Sequence, residues 1–486
     1  MFDLVIRGAT VVDPLSGSVS EKDVGILDGL IAEVAPSIAD SGAARTIGAS
    51  GLILQPGIID THLHLSPSPL GQRMAVQAGV TAAIEMAGPI DKVLDDMANS
   101  GCGLTVAVLN AILPGQNVSS ANPGTDEING FIDQSLASGA FGVKLLGGHY
   151  PLTPEASRAY LAAAHDRGVY MAWHAGSTTA GSNLKGLEEA IELAEGRPFH
   201  LAHLNAYCRG GILPAALECA RAAELLEAHP EIVTESYLSA RNGCPLGTDE
   251  NGIPLSAIVR INLKRLGLPE NREGMLSAIK AGELSVIRPE NGILELITGK
   301  AGAQWFESAP GPKDGSFDHV NPAVSRVFFA TQKRAGGEFL VDAISTDGGA
   351  IPRNVIVDYG LSLVNISALT AVEFAAKTSL IPARMLGLAA KGFIAPGADA
   401  DITIYDPAAR KAVHAFSSGR QILASGEVVG SGGTVLCTSE GEDAVKKRGL
   451  SAQILSCGIP ALKRSFGKCG DRVFLADETR YDILES

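Results

Sequence analysis

Over the first 50 residues apolar and polar positions alternate in short runs, DLVIRGATVVD, DVGILDGLIAEVAP and ARTIGASGLILQPG, separated by Asp-Gly and Ser-Gly turns. Period-two alternation broken by such turns predicts a β-meander. The same texture returns at 396–436, in PGADADITIYD, QILASGEVVG and TVLC. Two β-rich pieces that bracket one long middle predict a single small β-sandwich completed by both ends of the chain, residues 1–55 plus 391–436.

Between them the pattern changes to strand then helix. Apolar strand candidates lie at 58–65 (IIDTHLHL), 79–87 (GVTAAIEMA), 104–112 (LTVAVLNAI), 141–146 (FGVKLL), 169–175 (VYMAWHA), 199–204 (FHLAHL), 232–238 (IVTESYL) and 341–347 (VDAISTD). Helical periodicity falls between most of them, at 90–99, 127–138, 154–167, 186–195 and 213–228, with Pro154 in a first turn and Gly168 just past an end. Eight β/α units predict an α/β fold, a (β/α)8 TIM barrel over 56–390. Residues 239–340 exceed an ordinary βα connection and are expected to form a lid or an inserted subdomain over the barrel mouth. The tail, 437–486, carries a weakly helical basic stretch and is expected to serve packing or subunit contact.

Composition narrows the partners. The net charge of −14 argues against nucleic acid and anionic membranes, which select clustered Lys and Arg. Seven cysteines, at 102, 208, 219, 244, 437, 457 and 469, form no CxxC pair, which predicts neither a disulfide framework nor a structural zinc knuckle and fits a reducing compartment. Without an apolar targeting run at the N-terminus or any window of 18 apolar residues, the expectation is a soluble cytoplasmic protein. A homo-oligomer acting on a small molecule is expected.

A barrel carries its chemistry at the C-terminal ends of its strands. The first strand ends in Asp60-Thr61-His62-Leu63-His64, and strand period two turns both imidazoles to one side, where they can share an ion. With ten histidines in 486 residues, chance supplies a His-x-His only about 0.2 times. The fourth strand holds Lys144 among apolar neighbours; a buried lysine with a depressed pKa can take up carbon dioxide as a carbamate, an anionic ligand able to bridge two metals. Alternatively its stem is buried and its head snorkels to a carboxylate. His174, His203 and Asp347 end the fifth, sixth and eighth strands. Taken singly each reads as structural; together they occupy one rim. His200 competes with His203, but three positions away in the strand it is expected to face the opposite side.

These residues resemble a family. GLILQPGIIDTHLHL, Lys144 in GVKLL, His174 in AWHAG, His203 in HLAHL, Asp347 in ISTDGG, and LTAVEFAAKTSLIPARMLGL followed by KGFIAPGADADITIYD are similar to the amidohydrolase superfamily. The likeness is strongest to its two-metal, carboxylated-lysine branch of hydantoinases, dihydroorotases, allantoinases and isoaspartyl dipeptidases. The resemblance spans roughly residues 1–435 and implies a hydrolase of carbon–nitrogen bonds with two divalent ions, zinc first. His62, His64 and Asp347 would hold the buried ion, His174 and His203 the more exposed one, and carboxylated Lys144 would bridge them. A water activated by the ions would attack the carbonyl, with Asp347 as base and then acid.

The chain departs from its likenesses in places. Hydantoinases carry an oxyanion tyrosine five residues after the bridging lysine; here His149 holds that place and Tyr150 follows, either able to donate. The DHAPH of hydantoinases and dihydroorotases is replaced by Asp347-Gly348-Gly349-Ala350. Where D-aminoacylases bridge with a cysteine after strand two, Glu85-Met86-Ala87 stands, which favours Lys144. Tyr207, Arg209, Tyr237, Arg241 and Arg353 sit in loops able to overhang the site, and an Arg fork matches a substrate carboxylate. The expected reaction opens a cyclic amide, imide or hydantoin-like ring. The alternatives are a linear amide hydrolase, such as an N-acyl-amino-acid deacylase or isoaspartyl dipeptidase, and a non-catalytic assembly protein. Deamination is disfavoured because Ala175 and Gly176 follow His174, with no HxE pair.

Overall fold

Each apolar run of the middle segment becomes a strand in the computed structural model, which describes residues 1–39, 42–311 and 313–455. The strands are β1 (Ile58–His64), β2 (Val80–Glu85), β3 (Cys102–Ile112), β4 (Gly142–Leu146), β5 (Tyr170–His174), β6 (His200–Leu201), β7 (Val233–Tyr237) and β8 (Ala343–Ser345). All pair in parallel, each with the next. The ring closes just beyond β8, where Gly348 and Gly349 pair in parallel with Leu63 and His64 of β1. The expected (β/α)8 TIM barrel is therefore present.

Helices α1 (Leu70–Gln77), α2 (Ile90–Ser100), α3 (Thr125–Ala137), α4 (Pro154–Asp166), α5 (Leu184–Ala194) and α6 (Ala215–Ala228) follow the first six strands. The residues that start them are legible: Thr153 caps α4 by accepting from the Ala156 amide, with Pro154 at the first position, and Asn183 caps α5. α7 (Ala323–Thr331) and α8 (Ile356–Asn365) complete the outer layer. Alternation along β5 sorts its residues: Met171 and Trp173 join the core shared with Phe199 and Leu187, while Tyr170 and Ala172 lie on the other side with His174.

A nine-stranded sheet stands apart from the barrel. Residues 4–56 supply five of its strands and residues 402–428 four, joined where Ile402–Asp406 runs antiparallel to Ile53–Pro56. Leu4, Ile6, Val11, Leu54, Ile402, Ile404 and Phe416 form a core of their own. Lys391, buried, pairs with Asp401 and, at 3.0 Å, with Asp399, so the charged positions of KGFIAPGADAD fasten the entry to this sheet.

The TVLC run departs from expectation. Gly432–Cys437 joins the barrel sheet, pairing in parallel with the N-terminal half of β3, and Ser451–Ile454 pairs with it in turn. Alternation marks a strand but not the sheet that takes it. The remainder of the expected C-terminal extension, 456–486, lies outside the described residues. Within 239–340, residues 242–320 fold as an inserted unit: Asn242–Pro245, Leu284–Glu290, Ile293–Ile297 and Asp314–Phe317 make a four-stranded sheet around Val259, Leu263, Met275, Ile279, Phe306 and Phe317, while Phe329 of α7 and Leu340 pack in the barrel core. Among the described residues, no helix is long and apolar enough to cross a membrane.

Candidate metal centre

Two groups of ligand-type side chains meet at the C-terminal ends of the strands. In the first, one ligand atom each from His62, His64 and Asp347 lies within 4.8 Å of the others. His64 Nε2 is 3.0 Å and His62 Nε2 3.4 Å from Asp347 Oδ1. In the second, His203 Nε2 and His174 Nδ1 face each other at 2.9 Å. The groups adjoin, with the His62 and His203 rings stacked at 4.9 Å between centroids.

The backbone is shaped to bring these side chains together. His203 and Asp347 both adopt positive φ, 36° and 51°, a region that L side chains occupy at a cost. At His203 this breaks strand alternation. His200 therefore does not face away from the site as expected: its ring lies inside the barrel, with Nε2 3.8 Å from Glu235 Oε1 and Nδ1 2.9 Å from the Tyr170 hydroxyl. Gly349, at φ 75°, lets the chain return against β1, where a Cβ would sit 2.5 Å from the His64 carbonyl oxygen. At Gly148 a Cβ would collide with His174 Nε2, so glycine there keeps the imidazole in place.

Electrostatics suit these groups to metal binding. Burial pushes His174 and His203 well below the ordinary imidazole value, helped by neighbouring histidines. Burial and Lys144 hold His62 down to about 4 against the carboxylates of Asp347 and Glu235. Neutral imidazoles are the ligand form. Lys144 is fully buried, and its Nζ donates to Met86 Sδ at 3.2 Å. No carboxylate lies within ion-pair distance of it among the described residues, and burial brings its amine down to about 8. Burial also raises the Asp347 carboxyl, but Arg353, His62 and the hydrogen bond from His64 outweigh it and hold the group well below the carboxylate range. The donor set fits divalent ions: imidazole nitrogens and one ionised carboxylate, with the buried amine of Lys144 near them.

Around this centre the remaining candidates differ in their partners. His149 stands at the mouth, exposed, with its ring 5.1 Å from that of His174; Tyr150 is 40% exposed and lies one step further along the loop. The Tyr207 hydroxyl is buried and accepts from the Ala175 amide. Arg241 pairs with Asp318 of the insertion at 2.7 Å, and Arg353 Nη2 pairs with Asp347 Oδ2 at 2.6 Å while stacking over the Tyr237 ring. Arg209 differs, being held only by neutral acceptors: Asn321 Oδ1 at 2.7 Å, the Tyr237 hydroxyl at 3.1 Å and Asn242 Oδ1 at 3.4 Å. It has no carboxylate partner among the described residues.

Sequence reasoning missed Glu235, a buried carboxylate in the middle of β7 that hydrogen-bonds His62, His203 and Ser345. The signal was available, since an acidic residue inside a five-residue buried strand requires partners. It also passed over Asp60, whose carboxylate accepts from the His62 amide and from Thr346 and which burial raises to about 7. Asn242 and Asn321 gave no signal, because only the fold carries them to Arg209.

No family profile matches the chain. A dihydroorotase of Pelotomaculum thermopropionicum is 26% identical over 442 residues, covering 83% of this chain and 89% of that protein. Among solved structures, N-acyl-D-glutamate deacylase from Bordetella bronchiseptica, complexed with zinc and a phosphonate inhibitor, superposes with a TM-score of 0.63 at 15% identity over 89% of this chain and 99% of that one. Dihydropyrimidinase from Brevibacillus agri gives 0.56 at 16% identity over 89% and 97%. The chain is thus similar over most of its length to a dihydroorotase and shares the fold of solved amidohydrolases, D-aminoacylase among them.

Proposed function

We propose that this protein is a metal-dependent hydrolase of carbon–nitrogen bonds that opens a cyclic amide, imide or hydantoin-like ring. The observation that carries the reading is the convergence of His62, His64 and Asp347 beside His174 and His203 on the rim that also holds buried, carboxylate-free Lys144. His62, His64 and Asp347 would hold one divalent ion and His174 and His203 a second, zinc in the first instance, with carboxylated Lys144 between them. Bound there, the ions would lower the pKa of a water and polarise the scissile carbonyl.

The chain's own residues do the rest. Asp347, ionised and fixed by His64 and Arg353, takes the proton of the attacking water and passes it to the leaving nitrogen. His149, beside His174 at the mouth, is better placed than Tyr150 to donate to the developing oxyanion. A linear amide bearing a carboxylate, such as an N-acyl amino acid, is the second reading. Arg209 favours it, as a cation held ready by neutral acceptors in a protein of net charge −14. A carboxylated ring would use the same fork.

Zinc- and bicarbonate-loaded protein should be assayed against hydantoins, dihydropyrimidines, lactams and N-acyl amino acids, with ring opening and acyl release measured separately. Ring opening supports the first reading and acyl release the second. Turnover of none by protein that has bound two ions would overturn both.

A further inference from the structure

Glu235 binds both ligand groups at once. Its Oε1 accepts from His62 Nδ1 at 2.7 Å and from the His203 backbone amide at 2.7 Å, and its Oε2 accepts from Ser345 Oγ at 2.7 Å. The His62 and Glu235 side chains are 1% and 0% exposed, so water does not compete for these bonds. An ionised carboxylate only accepts, so His62 must carry its proton on Nδ1, which leaves the Nε2 lone pair turned toward the cleft shared with His64 and Asp347. The second contact acts on backbone: the His203 amide is tied down at the residue whose positive φ turns its imidazole toward His174.

We propose that Glu235 is the positioning residue that couples the two metal sites, setting the tautomer of His62 for one ion and the backbone of His203 for the other through a single oxygen. The inference rests on the metal reading given above. A carboxylate that orients a ligating histidine is worth about 10–100-fold in metal affinity. Because this one serves a ligand of each group, its loss should weaken both ions together. Ser345 holds only the far oxygen, so removing its hydroxyl should leave the ligands in place.

Two measurements test this. In full-length protein labelled with 15N at histidine, stripped of metal and then reloaded with zinc, His62 should show the Nδ1–H tautomer in both states, its signal assigned by its loss in His62→Gln. This needs no variant at Glu235 and reads the hydrogen bond whether or not an ion binds. Chelator competition should then show both zinc ions held about 10–100-fold more weakly in Glu235→Leu, which can accept neither the His62 nor the His203 bond, and less than about threefold more weakly in Ser345→Ala. An Nε2–H tautomer in the wild type, wild-type affinity in Glu235→Leu, or weakening confined to one ion would overturn the proposal. A wild type that binds no divalent ion would refute the metal reading, while the tautomer would still decide what Glu235 does.

Discussion

Arg353→Met removes the cation beside Asp347 while keeping most of the side chain's apolar stem. The two groups are 3% and 8% exposed and 2.6 Å apart, so solvent screens them little. Removing one partner of a buried pair costs about 3–5 kcal/mol, because the other charge is left uncompensated. His64 still donates to Asp347, which puts the expectation at the low end, about 3 kcal/mol for metal-free protein. A divalent ion held by His62, His64 and Asp347 would supply positive charge in place of the guanidinium. The loss should then shrink to about 1–2 kcal/mol, the scale of the remaining hydrogen bonds to the Arg241 and Asp347 carbonyls. Guanidinium unfolding of chelator-treated and zinc-loaded protein, followed by circular dichroism and by the fluorescence of Trp173, buried against Phe199, measures both values. A loss below 1 kcal/mol without metal, or the same loss with and without it, would refute the reasoning.

Other outcomes follow from the same geometry. Asp347→Asn should keep the fold and much of the metal but lose about 10²–10⁴ in turnover; near-wild-type turnover would remove Asp347 from proton transfer. Burial brings Lys144 down to about 8, so about a tenth of the amine is neutral at pH 7, against roughly 1 in 3,000 for an ordinary lysine. At fixed dissolved carbon dioxide, reactivation of stripped protein should therefore climb as pH rises toward 8 and level off above it, and a flat profile between pH 6 and 8 would count against carboxylation. Arg209→Met should raise KM about 10–100-fold for carboxylate-bearing substrates, the worth of a charged hydrogen bond, and leave neutral analogues unaffected. An equal change for both classes would mean that Arg209 only shapes the loop.

The barrel was legible because parallel strands are apolar runs and β/α alternation has few solutions. The gathering of His62, His64, Lys144, His174, His203 and Asp347 could be anticipated for a related reason, since these residues lie on or just beyond barrel strands whose C-terminal ends share one rim. What escaped was set by geometry without a local pattern. The short helix α1 follows a Ser-Pro-rich turn and spans only Leu70–Gln77, too few residues to show a clear period. His200 was misplaced because alternation fails at a residue with positive φ. The cradle of Arg209 joins residues 112 positions apart, which only the folded insertion brings together. Glu235 belongs to a different kind of omission, because its burial was readable and its partners were not.

Metal content per chain tests the central claim most directly, measured for wild type and Lys144→Ala after reconstitution with zinc and bicarbonate. The account predicts two ions per wild-type chain and loss of the two-ion site in Lys144→Ala, partly restored by a short carboxylic acid. A wild type that binds no divalent ion, or a Lys144→Ala protein that holds two without added acid, would contradict it.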